Sequence, residues 1–135
     1  MSFVSHLECA RCGAQHDAGR LHNTCRCGSP LLVRYHLDRV AAHWRPEMLA
    51  ARPATLWRYH ELLPLDDPAH AVTLGEGWTP ILPLRRLGAV LGLPHLSLKD
   101  EGLNPTGTFK ARGAAVGVSR ARELGVREFA MPTAG

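Results

Sequence analysis

The sequence predicts an α/β fold: a parallel βαβ layer, incomplete within these residues, preceded by a small four-cysteine module. Three observations carry that reading. All four cysteines fall in the first 27 residues. A glycine-rich turn, Leu74-Gly75-Glu76-Gly77-Trp78-Thr79-Pro80, leads into an extended segment. From Leu96 to Met131 the pattern then runs strand, helix, strand, and such a crossover joins parallel strands with right-handed connectivity.

The cysteines form two close pairs, Cys9-x-x-Cys12 and Cys25-x-Cys27, each followed at once by glycine, Gly13 and Gly28. A close pair with a trailing glycine makes a tight turn that points sulfurs and N–H groups inward, as in a zinc knuckle. The twelve residues between the pairs are enough for a hairpin that brings the knuckles together. Two disulfides or four free thiols are the other readings; a cytosolic setting disfavours disulfides. Four thiolates on zinc leave no open coordination position, so such a metal is structural. The single intervening residue of the second pair tightens the geometry. His6, His16 and His22 are nearby substitutes, although exposed histidines without a metal are the plainer reading.

The ribbon closes with a strand over Leu31–His36. Asp38 reads as the cap of a short helix to His43. Arg45 to Pro68 carries four prolines and reads as a wrapping linker with a helical turn near Leu56–His60. An extended segment, Ile81–Leu84, precedes a helix over Arg85–Leu91 that ends at Gly92. Pro94 forbids its continuation, and His95–Lys99 alternates as a strand. Thr106 or Thr108 caps a long helix to Leu124, closed by Gly125; Arg127–Met131 is the next strand, and Pro132-Thr133-Ala134-Gly135 the loop leaving it. Ligands gather at the carboxyl ends of parallel strands, so the Asn104–Lys110 and Thr133–Gly135 loops are expected to face one crevice. A two-stranded parallel unit cannot bury its own faces. The chain is therefore expected to be the N-terminal portion of a larger protein, or to need a partner chain.

Lys110 lies in the first turn of the long helix, near unsatisfied N–H groups and the positive end of the helix dipole. That setting favours a neutral amine able to attack an aldehyde and hold it as a Schiff base. Asp100 and Glu101 are either solvated turn charges or shape the loop; Asn104 and Thr106 read as turn or cap residues as readily as ligand contacts. Arg112 reads as an ion-pair partner before a phosphate ligand, and Trp44, Trp57 and Trp78 as packing residues. Gly75-x-Gly77 is too short for a phosphate cradle, which needs several convergent N–H groups at a helix start.

Composition sets the outer bounds. At 45% hydrophobic and 21% charged residues the chain is neither disordered nor membrane-spanning in character. Net charge is +4, but the cations are scattered arginines with only two lysines, Lys99 and Lys110. This pattern fits a GC-rich bacterial coding bias better than a nucleic-acid surface. Met1 to Cys9 lacks the charged and apolar regions of a signal peptide, so a cytoplasmic protein is expected, with neither nucleic acid nor membrane as partner.

The run Lys99-Asp100-Glu101-Gly102-Leu103-Asn104-Pro105-Thr106-Gly107-Thr108-Phe109-Lys110-Ala111-Arg112 resembles the threonine synthase family, pyridoxal-phosphate enzymes of the tryptophan-synthase-β fold type. Leu74-Gly75-Glu76-Gly77 with Thr79-Pro80 is similar to another family segment, the cysteine ribbon occurs in many members, and Pro132-Thr133-Ala134-Gly135 looks like the start of a family loop. The resemblance implies a fold-type-II body over 73–135, a linker with short helices over 37–72 and a zinc-ribbon-like module over 1–36. It implies that Lys110 carries pyridoxal 5'-phosphate and that Thr133, Ala134 and Gly135 receive the substrate carboxylate. Cys9, Cys12, Cys25 and Cys27 would hold a structural zinc. The reaction implied converts O-phospho-L-homoserine and water to L-threonine and phosphate, in a homodimer when complete, with the present residues inactive by themselves. Alternatives are another lyase of the same fold type, a cysteate synthase or a threonine dehydratase-like protein, and a stand-alone zinc-ribbon binding module.

Overall fold

The computed structural model describes residues 2–131. Its N-terminal module is a three-stranded antiparallel sheet in which β1 (Val4–Cys9) lies between β2 (Gln15–His16) and β3 (Leu31–Tyr35). Leu7 faces His16 on one side and Val33 on the other. A register irregularity between Val4 and His6 lets Val4 and Leu7 line the same groove as Val33. On the opposite face Arg34 donates to Glu8 at 2.7 Å. The last strand stops one residue short of His36, whose N–H still bonds Phe3 while its carbonyl accepts the Val40 N–H.

That hand-over makes His36, and not Asp38, the cap of α1 (Leu37–His43); Asp38 sits in the first turn, where its charge suits the helix dipole. The linker is more ordered than its prolines suggest. Pro46 opens a short helix, α2 (Pro46–Ala50), at the first-turn position where a missing N–H costs nothing. The helical turn foreseen near Leu56–His60 is a 3₁₀ segment over Leu56–Leu62, kinked at Tyr59, and a further 3₁₀ turn spans Pro68–His70.

Glu61 fastens this linker to the ribbon. Its carboxylate is 1% exposed and takes both Arg52 guanidinium nitrogens, at 2.9 and 2.6 Å. His60 and His43 approach the same oxygen at 3.3 and 3.7 Å. The Glu61 carbonyl accepts the Phe3 N–H at 3.0 Å, and Ser2 Oγ donates to Leu63 O at 2.6 Å.

In the second half, β4 (Ile81–Pro83) pairs antiparallel with β5 (Ser97–Lys99), Leu82 opposite Leu98. Between them α3 (Arg85–Leu91) ends where expected: Gly92 takes φ 68°, and the Leu93 N–H closes on Gly88 O at 2.8 Å. The long helix is α4 (Lys110–Glu123). The cap position falls on Phe109, which makes no side-chain cap bond, and not on Thr106 or Thr108; the Thr108 hydroxyl nonetheless accepts the Lys110 N–H at 3.3 Å. Ala111, Ala115 and Ser119 form its buried stripe at four-residue spacing.

The fold is the mixed α/β start that the sequence predicts, with one local difference. Residues 127–131 form no strand among the described residues, and the pair observed there, β4–β5, is antiparallel. A parallel strand is stabilised by burial on both faces, and Arg127 to Met131 are exposed throughout. The loop 132–135 lies outside the described residues.

Two predictions follow from this packing. At Gly77, φ is 125° and a Cβ would lie 2.7 Å from Leu56 N and 2.9 Å from Thr55 C, both backbone. Gly77→Ala should therefore cost about 3 kcal/mol in urea unfolding. Gly92→Ala, strained in φ but with open space around it, should cost about 1 kcal/mol. Second, hydrogen bonds from Arg52 hold the Glu61 carboxyl down at about 2, from an ordinary 4.5, against the opposing effect of burial. A depressed folded pKa adds stability above the unfolded value and loses it as pH falls through the folded one. Stability should thus decline from about pH 4.5 towards about pH 2. Glu61→Gln should flatten that decline and cost about 3 kcal/mol at neutral pH.

Candidate functional site

Lys110 is the first residue of α4, with an exposed side chain. The loop that delivers it is held by one carboxylate. Glu101 accepts from Arg112 Nε at 2.6 Å and Nη2 at 2.8 Å, from Asn104 Nδ2 at 2.9 Å and from Thr79 Oγ1 at 2.5 Å. Arg112 first, then Thr79 and Asn104, hold its carboxyl well below the usual carboxylate range. Arg112 is one helical position pair from Lys110, so this fork fixes the helix start on which Lys110 rides.

The rest of the run is equally occupied. Asp100 Oδ1 accepts the Gly102 N–H at 3.1 Å, and the Asp100 N–H bonds Pro80 O at 3.0 Å. Lys99 Nζ donates to Thr79 O at 2.8 Å. Asn104, 4% exposed, also donates to Glu101 O at 3.0 Å and accepts the Gly77 N–H at 3.3 Å. Arg112 is thus the ion-pair partner that its residue type suggested, and Glu101 and Asn104 shape the loop.

The glycine-rich turn is a structural knot. Glu76, 1% exposed, accepts from Thr73 Oγ1 at 3.0 Å and from the Leu74 N–H at 2.8 Å. Gly75 N–H goes to Thr73 Oγ1 at 3.0 Å. With the Gly77 N–H given to Asn104, these donors are consumed inside the chain, in line with the reading that Gly75-x-Gly77 cradles no phosphate. The sequence reading passed over Glu76; its signal was a Thr73-x-x-Glu76 spacing suited to a local side-chain turn. Trp78 departs from the packing role expected of it, since it is 68% exposed.

A pyridoxal group needs a primary amine to receive its aldehyde, and Lys110 offers one at an exposed helix start, so the residue fits. Thr133, Ala134 and Gly135, expected at the substrate carboxylate, lie outside the described residues.

At the other end of the molecule the sulfurs of Cys9, Cys12, Cys25 and Cys27 all lie within 4.8 Å of one another, and all four are free thiols. Sulfur separations of 3.4 Å (Cys9–Cys27), 3.7 Å (Cys12–Cys25) and 3.8 Å (Cys12–Cys27) match the edge of about 3.8 Å of a tetrahedron with metal–sulfur bonds of about 2.3 Å. Gly13 and Gly28 take φ 70° and 79°, giving the knuckle turns. The N–H groups of Arg11 and Cys12 both point at Cys9 Sγ at 3.4 Å. The Cys12 N–H leads in lowering the Cys9 thiol to about 6, while the Cys27 thiol beside it is pushed up to about 11. The single residue between Cys25 and Cys27 does not prevent the cluster, because the Gly28 N–H closes on Cys25 O at 2.8 Å. The four cysteines can hold a metal, and His6, His16 and His22 stand outside the cluster.

Residues 72–135 match the family model described as pyridoxal-phosphate dependent enzyme. The chain resembles the N-terminal portion of threonine synthases. It is 40% identical over 127 residues to the threonine synthase of Methanocaldococcus jannaschii, a match covering 94% of this chain and 31% of that protein. It is 37% identical over 131 residues to that of Methanosarcina acetivorans, covering 96% and 31% respectively. A bacterial threonine synthase, from Halalkalibacterium halodurans, is 41% identical over 80 residues, 59% of this chain and 22% of the relative. The chain spans about a third of the length of the two Methanocaldococcus and Methanosarcina relatives.

Arg112→Lys keeps the charge but loses the fork geometry. Hydrogen exchange should report amides of residues 102–110 opening at least about tenfold faster in this variant, with β1–β3 unchanged. Unchanged protection across the loop would show that Arg112 does not hold it.

Proposed function

We propose that this chain forms the N-terminal portion of a threonine synthase, with Lys110 as the residue that carries pyridoxal 5'-phosphate. The observation that supports it most is the exposed Lys110 at a helix start whose surrounding motif is spent on holding that start still. Identity of 37–40% to threonine synthases over nearly the whole chain supports the same reading. The reaction is conversion of O-phospho-L-homoserine and water to L-threonine and phosphate.

When bound, pyridoxal phosphate supplies the electron sink for removal of substrate protons and departure of phosphate. Lys110 Nζ holds the cofactor aldehyde and moves protons at the reacting carbons. Glu101 and Arg112 keep its helix turn oriented. Thr133, Ala134 and Gly135 receive the substrate carboxylate. The module over 1–36 holds a structural zinc on its four cysteines, 37–72 is the linker, and 73–135 begins the catalytic body. The complete enzyme is a cytoplasmic homodimer, and these 135 residues alone do not turn over substrate. No helix among the described residues is long and apolar enough to cross a membrane.

The test uses a protein that carries this chain together with the remaining length of its relatives. It should release threonine and phosphate in equal amounts from O-phospho-L-homoserine. Lys110→Ala should lower the rate at least about a thousandfold and remove the pyridoxyl mass tag that borohydride fixes on the Lys110 peptide. Product analysis showing no threonine overturns the substrate; a tag on another lysine overturns the residue. For the metal, the purified chain should hold one zinc, and chelation should unfold β1–β3 while leaving α4 helical. Retained sheet exchange protection after complete zinc removal would overturn the structural role.

A further inference from the structure

Arg58 is a buried cation without a countercharge. It is 8% exposed, its Nη2 donates to Leu49 O, and its Nε has no hydrogen-bond partner. Among the described residues the ion pairs engage Arg20, Arg34, Arg52, Lys99, Arg112 and Arg120, but not Arg58. Burying a charge unpaired is costly, so its setting is incomplete as it stands.

Arg58 lines a cavity of about 630 Å³ whose wall also includes Tyr59, Trp78, Thr79, Lys99 and Arg112. Three cations therefore meet there. Lys99 and Arg112 share one carboxylate, Glu101, already taken by Arg112 and lying 3.9 Å from Lys99 Nζ. Glu76 acts on Arg112 from farther off, and its oxygens are given to Thr73 and Leu74. Even counting both acids, positive charge is in excess.

The other wall is aromatic. The Arg58 guanidinium carbon stands 4.6 Å from the centre of the Trp78 ring and 5.9 Å from that of Tyr59. Trp78 is the one non-glycine residue with positive φ, 52°, among the described residues. A large side chain held there costs about 1–2 kcal/mol that glycine avoids, and the cost leaves its indole largely in solvent. Core packing does not explain that expense; a flat surface offered to a ligand does.

We propose that this cavity binds a small organic anion. Its carboxylate or phosphate group is taken by Arg58 and Lys99, and its flat apolar part lies against the Trp78 indole. Neither Lys110 nor a bound cofactor is needed for it, so the site stands independently of the catalytic reading.

Calorimetric titration of the 135-residue chain at low salt tests it, with phenyl phosphate, benzoate, inorganic phosphate and phenol as probes. Saturable one-to-one binding of phenyl phosphate or benzoate is expected with a Kd below about 1 mM. Inorganic phosphate should bind at least about tenfold more weakly and phenol not measurably. Arg58→Gln should weaken binding at least about tenfold. Because Arg58 is buried and its loss can unfold the chain, Trp78→Gly is the second arm: it relieves the positive-φ cost, so the chain should fold at least as stably yet bind at least about tenfold more weakly. No saturation by either aromatic anion, equal affinity for phenol, or full affinity in a folded Trp78→Gly chain would overturn the proposal.

Discussion

Glu101 meets donors from three separate stretches of chain. Thr79 comes from the glycine-rich turn, Asn104 from the loop, and Arg112 from the helix that the loop opens. A carboxylate has room for about four such bonds, and Glu101 uses that capacity fully. The consequence is geometric: with both Arg112 nitrogens engaged, the first turn of α4 cannot rotate without breaking a charge-assisted fork. Lys110 gains a fixed origin for its side chain from bonds that it does not itself make.

The same helix organises what lies behind it. Ser119, fully buried, accepts the Val72 N–H at 2.8 Å and donates to Ala115 O at 2.6 Å. Glu123 accepts the N–H groups of Asp66 and Asp67 at 3.0 and 2.7 Å, and Arg120 reaches Ala18 O of the ribbon at 2.7 Å. Front, middle and rear of α4 thus each hold a different segment. This is economical for a helix of small residues: Ala111 and Ala115 permit close approach, while the polar side chains between them supply direction. The ribbon is fixed from a second side through Glu61, so the four-cysteine module is anchored at two points.

How much of this was legible in the sequence divides along physical lines. Features set by a few neighbouring residues were readable: the knuckle glycines, the Gly92 stop and the position of Lys110 at a helix start. Features set by a distant partner were not. Asp38 looked like a cap, but the cap position is decided by where β3 ends and His36 turns. The four prolines of 45–68 suggest a linker, although Pro46, at a first-turn position, promotes a helix. Glu76 has local bonding partners in Thr73 and Leu74, but its burial depends on the close approach of Gly77 to Leu56. Trp78 looked like core for its size, yet the positive φ of its backbone turns it outwards.

The absent strand at Arg127–Met131 shows the limit of local reasoning most directly. Its apolar Phe129-Ala130-Met131 run and its place after Gly125 suit a strand, but a strand needs ladder partners as well as propensity. β5 offers an edge to which β4 already pairs antiparallel through Leu82 and Leu98, and both strands are exposed along their length. Burial on two faces, which makes parallel pairing favourable, is missing for every strand of this half. The helix and its caps do not need it, since α4 satisfies its own backbone and is fixed by side chains. That is why the candidate site, built from turns, caps and one ion-pair fork, stands formed where the sheet around it does not.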